Sequence, residues 1–416
     1  MDDPTPHLER FSSYDQAIRE FQWWIPRSIN IASAICRRHP DSVTRIALSD
    51  VRIGGVNTYT FGGLDYLSDK FATALTECNI NRGDSVVVAL RPSAALTVAQ
   101  LGTLKAGGVV VPLSSTATPD FLDYVLETSK AELLVTDEPL LLYHPITKRA
   151  LKNVLTIFVV RNLRPATGAS YKDFWSEVDR CSSDFTAPET ESNTPVFNFF
   201  IETEGEIFGI VHSARSAICQ LSAFELFNEF GDDAVLWAGD DWSSPAAVLG
   251  TVYPGWWYGC SIVANSTSKQ ISMTQLVAQH QVTNVFQLTK ARQPADELSK
   301  VVNSTMLHEV FGTPESGWII GNSNRWMESA GASLCRVVPG RRVDIIDEQG
   351  EILRPGMVGQ IAIHKSDPGL FTGYHGEAAD TSVGDWFLTG KFGYKTEEGE
   401  LRFVLQNEGS TNYNGC

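Results

Sequence analysis

Three carboxylates alternate with other residues in one short stretch of the chain, at Glu202, Glu204 and Glu206. Carboxylates at this spacing could hold a metal ion, because hard cations prefer oxygen ligands. The same alternation also fits a β-hairpin, since every second side chain of a strand lies on the same face. We favour a hairpin with the three glutamates on one solvated face over a metal site.

Three further residues are candidate acid–base groups for catalysis: His212, Glu315 and Lys391. An imidazole titrates near neutral pH and is the commonest general acid or base. A lone histidine is nevertheless more often a structural residue with satisfied hydrogen bonds. The sequence shows no complete catalytic constellation around any of the three residues.

Bulky aromatic residues gather at Trp237, Trp242, Trp256, Trp257 and Tyr258. Aromatic residues at such spacing usually form core. Three glycines interleave with them, however, and predict open room beside the indoles, so that some of the rings could line an apolar slot. These glycines are Gly250, Gly255 and Gly259.

The elements that must position these residues alternate between helix and strand. Thr60 precedes a run of apolar residues at helical spacing, from Leu64 to Leu75, and short apolar strands follow at 85–90, 109–111 and 133–135. Helical segments separate these strands, which is typical of crossover units in a parallel sheet. After Pro339-Gly340 the pattern changes to short strands split by glycine-rich turns, which indicates a small antiparallel barrel.

The chain of 416 residues is too long for one compact core. We predict an α/β protein with an N-terminal arm (1–27), a first α/β subdomain and linker (28–193), a second α/β subdomain (194–332) and a β-barrel subdomain (333–416). The two α/β subdomains are expected to contain mainly parallel sheets.

Composition and charge narrow the classes of partner. A formal net charge of -16 disfavours a nucleic-acid surface, because phosphates would be repelled over most of the protein. No apolar stretch is long enough to span a bilayer. The polar, acidic N-terminus and seven scattered cysteines without a CxxC pair predict a cytoplasmic protein with isolated thiols.

Several motifs in order resemble the adenylate-forming superfamily, nearest the acetyl- and medium-chain acyl-CoA synthetases. The most telling are Leu104–Leu113, Asp241–Gly259, Phe311-Gly312-Thr313-Pro314-Glu315 and Trp386-Phe387-Leu388-Thr389-Gly390. Together they cover roughly residues 28–404. The resemblance implies two α/β subdomains and a β-barrel subdomain with the active site where they meet.

The resemblance also implies roles for individual residues. Glu315 matches the family's magnesium-coordinating glutamate, and Thr313 matches a phosphate-contacting threonine beside Phe311. The aromatic cluster, with Trp242, Trp256, Trp257 and Tyr258, matches the family's acyl-pocket region. Family members use ATP and Mg²⁺.

Other positions depart from the family pattern. Phe208 stands where the phosphate loop has a lysine, and three glutamates facing a triphosphate would oppose its binding by several kcal/mol. Lys391 replaces the aspartate that accepts hydrogen bonds from the ribose, although an ammonium group has no acceptor. The hinge at 405–408 lacks its arginine, the adenine wall at 292–306 is shortened, and the C-terminal domain with its catalytic lysine is expected to be absent after Cys416.

These departures support three hypotheses. The first is a degenerate acyl-CoA synthetase-like protein that has lost ATP-dependent adenylation, needs no cofactor, and binds an acyl or acyl-CoA-like molecule or a protein such as an active paralogue or an acyl carrier. The second is a repurposed enzyme that uses the old acyl cleft without ATP. The third is an active ligase completed in trans by a separate C-terminal domain.

Overall fold

The computed structural model describes residues 3–137, 154–160, 170–203, 205–227, 231, 233–239, 241–267, 273–285, 310–321, 323, 326, 335–376 and 381–404. The predicted adenine wall at 292–306 and hinge at 405–408 lie outside these ranges. No helix among the described residues is both long enough and apolar enough to cross a membrane.

The helices are α1 (Tyr14–Glu20), α2 (Ile31–Arg37), α3 (Phe61–Glu77), α4 (Ala94–Lys105), α5 (Pro119–Ser129), α6 (Phe174–Arg180), α7 (Ala214–Ile218), α8 (Leu221–Phe227), α9 (Pro245–Ala247), α10 (Tyr253–Trp257) and α11 (Met273–His280). A short 3-10 helix covers Leu8–Arg10, and a π-helical turn, Val248–Val252, joins α9 to α10.

The strands are β1 (Ile46–Arg52), β2 (Gly55–Thr60), β3 (Ser85–Ala89), β4 (Val109–Leu113), β5 (Leu133–Asp137), β6 (Thr156–Val160), β7 (Ser170–Asp173), β8 (Pro195–Thr203), β9 (Glu206–Ser213), β10 (Val235–Trp237), β11 (Ser261–Asn265), β12 (Asn284–Val285), β13 (Val310–Thr313), β14 (Gly317–Gly321), β15 (Arg336–Val337), β16 (Val343–Ile346), β17 (Gly359–His364), β18 (Gly373–His375), β19 (Ser382–Val383), β20 (Trp386–Lys395) and β21 (Leu401–Val404).

The local signals act as predicted. Thr60 caps α3, with its side-chain oxygen accepting a hydrogen bond of 3.0 Å from the backbone N–H of Gly63. Every residue of α4 is buried, because this helix lies in the core between sheets rather than on the surface. The apolar runs that follow Arg82 and Gly107 form the adjacent parallel strands β3 and β4.

Two mainly parallel sheets and an antiparallel region make up the fold, which confirms the predicted α/β class. The larger sheet has the order β18-β9-β8-β4-β3-β5-β6-β7, and the smaller one has the order β12-β10-β11-β1-β2. The strands β16, β17, β19, β20 and β21 form an antiparallel curled sheet beside the short sheet β13-β14-β15. An isolated bridge between Cys335 and Leu401 connects these two antiparallel sheets.

The sheets cross the predicted subdomain boundaries. Strand β1 pairs in parallel with β11. Leu48 therefore lies beside Ile262, although more than half of the chain separates the two residues in sequence. Strand β4 pairs with β8 at Val110 and Phe197, and β18 adds to β9. The boundary between 193 and 194 therefore does not separate two independent sheets, because long-range parallel pairing joins strands from both sides of it.

The described cysteines are mostly isolated thiols, as expected. Cys36, Cys78, Cys181, Cys219 and Cys260 are free, and burial raises the pKa of Cys36 and Cys260 to about 12. Cys335 differs from this prediction because it is disulfide-bonded.

Candidate functional site

The hairpin formed by β8 and β9 carries the stretch with the alternating glutamates. Its ladder continues to the tip, with Ile201 opposite Phe208, Glu202 opposite Ile207 and Thr203 opposite Glu206. Directly opposite residues of an antiparallel pair lie on the same face. Glu202 and Glu206 therefore lie on opposite faces, and the prediction that they share one solvated face is wrong because the turn changes the parity of the alternation. Both are exposed, as the solvated interpretation requires.

A cavity of about 420 Å³ lies between this hairpin, the loop after β13, and the antiparallel sheet. Among the described residues, its lining combines neutral polar and apolar side chains with one carboxylate, that of Glu315, and contains no lysine or arginine. The lining residues are Ile201, Thr203, Thr313, Pro314, Glu315, Gln360, Tyr374, Thr381, Phe387, Leu388, Thr389 and Gly390.

The carboxylate of Glu315 is fixed at the wall of this cavity. The Tyr374 hydroxyl donates a hydrogen bond of 3.0 Å to Glu315 Oε1, and the backbone N–H of Phe371 donates to the Glu315 carbonyl at 2.8 Å. The ring of Phe208 meets the Tyr374 ring edge to face, with centroids 5.3 Å apart and planes at 86°. The phenylalanine that occupies the family's lysine position thus packs on the tyrosine that holds Glu315.

The loop of residues Thr313–Ser316, which we call the acid loop, is held from behind by buried groups. The Ser316 hydroxyl accepts a hydrogen bond of 3.1 Å from the backbone N–H of Thr313. The Arg341 guanidinium donates to the Ser316 carbonyl at 3.0 Å and forms an ion pair of 3.0 Å with Asp367. Both side chains of this ion pair are fully buried.

His212 also contacts the acid loop from the core. Its Nε2 lies 2.8 Å from the Pro314 carbonyl, and its Nδ1 lies 3.1 Å from Ser216 Oγ. Because a carbonyl can only accept, Nε2 carries the proton in this arrangement and Nδ1 is the acceptor. Burial lowers the pKa of His212 to about 4, so the ring is neutral near pH 7. This geometry suits positioning of the acid loop rather than proton transfer in the cavity.

Lys391 lies next to the cavity without being one of its lining residues. Strand β20 bulges here, since the register shifts between Gln360 and Ala362 of β17, and Gly390 adopts a φ of 71°. Thr389 Oγ1 donates to the Ile361 carbonyl at 2.7 Å and accepts from the Lys391 backbone N–H at 3.3 Å. The exposed Lys391 follows the bulge.

The predicted aromatic residues lie in packing positions away from this cavity. The Trp242 and Trp256 rings meet edge to face at 6.3 Å, and Trp256 Nε1 donates to the Ala47 carbonyl at 2.8 Å. Trp257 Nε1 donates to Thr5 Oγ1 at 2.8 Å, beneath the Arg38 guanidinium. The Tyr258 hydroxyl donates to Glu225 Oε2 at 2.8 Å.

The room predicted beside the interleaved glycines is filled. A Cβ at Gly250 would lie 2.4 Å from Trp318 Nε1, and one at Gly255 would lie 2.6 Å from a methyl group of Leu236. Gly259 has a φ of 79°, and a Cβ at this position would lie 2.8 Å from a terminal nitrogen of the Arg45 guanidinium. The glycines permit close packing of neighbouring side chains, and the inference that they leave an open slot is wrong.

The structure therefore brings some of the predicted residues together and separates others. Thr313 and Glu315 meet Thr389 and Gly390 at one cavity, with His212 behind them. Phe311 instead packs on Phe403, with ring centroids 5.0 Å apart, in the core of the antiparallel region. Tyr374 and Arg341 were missed as site residues, because each acts on the acid loop from a distant part of the chain.

Comparisons with known proteins identify a family and relatives of the chain. The profile of a family described as AMP-binding enzyme matches residues 33–293. The chain is 25% identical to the acyl-coenzyme A synthetase ACSM3, mitochondrial, of Rattus norvegicus over 96% of the chain and 76% of that protein. It is also 25% identical to an acyl-CoA ligase of Bacillus subtilis, YtcI, over 85% of the chain and 72% of that protein.

The fold is similar to that of solved structures as well. A Brucella canis acyl-CoA synthetase superposes with a TM-score of 0.84 over 96% of the chain and 80% of that structure, at 18% sequence identity. This likeness supports the fold, with the large α/β and antiparallel parts arranged in the same way.

Proposed function

Because the chain belongs to the AMP-binding enzyme family, we propose that it has lost ATP-dependent acyl adenylation and binds an acyl-type ligand in the cavity beside Glu315. The end of the ligand that enters the cavity is uncharged. The observation that carries the proposal is the contact between Phe208 and Tyr374, which puts an aromatic ring where the family resemblance expects a phosphate-binding lysine.

The residues around the cavity do not fit a magnesium nucleotide. A triphosphate needs cationic side chains or converging backbone N–H groups, and none of the lining residues that the structure describes is a lysine or arginine. The two strands of the hairpin stay paired as far as Thr203 and Glu206, so the backbone N–H groups of these paired residues do not converge on one point. Glu206 shares its face with Thr203, which lines the cavity, and adds negative charge on that side.

The metal fits no better than the nucleotide. Magnesium is usually held by one or two carboxylates together with the phosphates of a substrate. Glu315 is the one carboxylate among the described lining residues, so a magnesium ion here would depend on the phosphates of a nucleotide that these residues do not fit. No group of at least three histidine, cysteine, aspartate or glutamate residues within the described ranges could hold a metal ion.

The cavity itself favours a small, mostly neutral ligand. Ile201, Phe387 and Leu388 supply apolar surface, while threonine and glutamine side chains supply hydrogen bonds. Most ligand sites combine apolar walls with a few polar groups in this way. The relatives named above are an acyl-coenzyme A synthetase and an acyl-CoA ligase, so the acyl part of a thioester is the ligand class that we propose.

The repurposed-enzyme hypothesis has less support. It requires an acid or base in the cavity, and His212 is neutral, fully buried and bonded at both ring nitrogens. Glu315 and Lys391 remain as candidate groups near the cavity, but Glu315 accepts its hydrogen bond from a tyrosine hydroxyl and Lys391 is not one of the described lining residues.

Calorimetric titration tests the proposal with two matched series of probes. Thioesters of a small neutral thiol present an uncharged acyl group, whereas the corresponding fatty acids carry a carboxylate. We expect saturable binding of the thioesters and weaker binding of the fatty acids, because Glu315 repels a second carboxylate. Glu315→Gln should strengthen fatty-acid binding severalfold and leave thioester binding almost unchanged.

A steric variant locates the binding. Leu388→Trp fills the cavity and should abolish the thioester signal, while Val358→Trp, at a residue that is 54% exposed, should not. Absence of binding by every chain length would contradict the proposal and would make docking to a protein partner the better account.

A further inference from the structure

A second cavity, of about 430 Å³, lies on a part of the surface that the proposed function does not use. It is built where the end of the N-terminal arm meets the segment before β8 and the start of α7. Its lining residues are Ile25, Pro26, Arg27, Glu191, Ser192, Asn193 and Arg215, none of which lines the cavity beside Glu315.

The frame of this second cavity is held by backbone hydrogen bonds. The Ser192 N–H donates to the Arg27 carbonyl at 3.0 Å, and the Arg215 N–H donates to the Ser192 carbonyl at 2.8 Å. The Ser192 hydroxyl also donates to the Pro26 carbonyl, and Ser28 bridges Glu191. Three chain segments are thereby fixed around one opening, so the cavity exists before any ligand arrives.

The guanidinium groups of Arg27 and Arg215 supply its charge. Neither arginine forms an ion pair with a carboxylate of the described residues. Arg215 is half-buried, and its Nε is a buried donor without a hydrogen-bond partner in the described part of the chain. Arg215 therefore reaches the cavity from a partly buried position and keeps hydrogen-bonding capacity that the described residues do not use.

The remaining polar groups also suit an anion. Asn193 adds an exposed amide, which can donate two hydrogen bonds. Glu191 is the one carboxylate among the described lining residues, and its side chain is exposed while its backbone forms the bridge to Ser28. Two arginines without an ion pair to any described carboxylate, in one preformed cavity, contrast with the net charge of -16, which would otherwise repel anions.

We propose that this second cavity is a binding site for a small molecule that carries a phosphate or carboxylate group. The planar fork of a guanidinium matches both oxyanions with two parallel hydrogen bonds. The two terminal nitrogens of the Arg215 guanidinium make the bidentate contact, Arg27 adds a second guanidinium from the arm, and the rest of the ligand extends over Pro26 and Ile25.

Calorimetric titration of the full chain with inorganic phosphate and with succinate, at ionic strength balanced by potassium chloride, tests this proposal. We expect saturable binding of at least one of the two probes, and the one that binds identifies the anion. Arg215→Met should weaken this binding by about tenfold or more, because it removes the bidentate contact. Arg27→Gln should weaken it severalfold.

Two further variants keep the test decisive. Arg354→Gln removes an exposed arginine far along the chain and should leave the affinity unchanged. If Arg215→Met does not fold, Arg215→Lys preserves the charge but not the fork and should still weaken binding. No saturable signal with either probe, or unchanged affinity in a folded Arg215 variant, would overturn the proposal.

Discussion

The acid loop and the tip of the β8–β9 hairpin face the same cavity but are held in opposite ways. Buried partners contact the acid loop from behind, at Pro314 by His212 and at Ser316 by Arg341. The hairpin is instead exposed at Glu202, Thr203 and Glu206, and the Tyr124 hydroxyl donates to the Ile207 carbonyl at 2.6 Å. The acid loop is therefore anchored by fully buried groups, whereas the described residues at the hairpin tip face solvent.

This contrast changes how the retained Glu315 is interpreted. A glutamate that matches a magnesium ligand of the family suggests nucleotide chemistry when it is read alone. In the structure a buried histidine and a buried ion pair contact backbone carbonyls of its loop, and the Tyr374 hydroxyl contacts its side chain. These contacts account for the conformation of the acid loop, so we take the hairpin as the better indicator of whether a phosphate can bind.

The largest effect is expected where the support of the acid loop is removed. Arg341→Ala leaves Asp367 as an unpaired buried charge and removes the donor to the Ser316 carbonyl. We expect the free energy of unfolding to fall by about 3–5 kcal/mol, measured by chemical denaturation. Arg354→Ala, at an exposed arginine, should change it by less than about 0.5 kcal/mol. Equal effects would mean that the acid loop is not held in this way.

A pH-dependent effect should follow from His212. Burial lowers its pKa from the ordinary 6.5 to about 4, so between these values the unfolded chain binds more protons than the folded protein. Stability must then fall as the pH is lowered through this window and be fully present above it. His212→Gln keeps a donor for the Pro314 carbonyl but cannot titrate. The free energy of unfolding of this variant should therefore fall less steeply as the pH is lowered. Parallel curves for the two proteins would contradict the buried, neutral histidine.

A smaller effect is expected at the hairpin. Phe208 is half-buried and its main described contact is the Tyr374 ring, so Phe208→Ala should lower the free energy of unfolding by about 1 kcal/mol. A double-mutant cycle with Tyr374→Ala should give a coupling of about 0.5–1.5 kcal/mol. Additive effects of the two substitutions would show that the rings do not stabilise each other.

The smallest effect, no gain at all, is expected from restoring family residues at two positions. Phe208→Lys combined with Lys391→Asp returns a cation and a ribose acceptor to the cavity. The closed ladder and Glu206 on the cavity face would still be present. Pyrophosphate exchange, which reports adenylation, should therefore remain at background. Exchange above background would mean that the side chains at positions 208 and 391 alone account for the proposed loss of adenylation.

Much of the local structure could be predicted because it depends on neighbouring residues. The cap at Thr60 and the buried strand beginning at Ser85 follow from local spacing and are observed. The pairing of Leu48 with Ile262 could not be predicted, because it depends on contacts between distant segments. For the same reason the subdomain boundary at 193/194 does not follow the sheets.

The candidate site was predictable only where a motif marks it. Thr313 and Glu315 were found by their motif, but the partner hydroxyl of Tyr374 lies on another strand and carries no local signal of its role. The faces of Glu202 and Glu206 depend on the length of the turn between them, which spacing alone does not reveal. The apparent room beside Gly250 and Gly255 is filled by side chains from elsewhere in the chain.

Titration of magnesium–ATP into the wild-type protein by calorimetry tests the central claim most directly. The same preparation should bind a neutral acyl thioester, which shows that the protein is folded and the cavity accessible. We predict no saturable heat from the nucleotide, since none of the described lining residues is a lysine or arginine and Phe208 packs against Tyr374. Saturable ATP binding with a micromolar dissociation constant, about -8 kcal/mol, would contradict the loss of the nucleotide site.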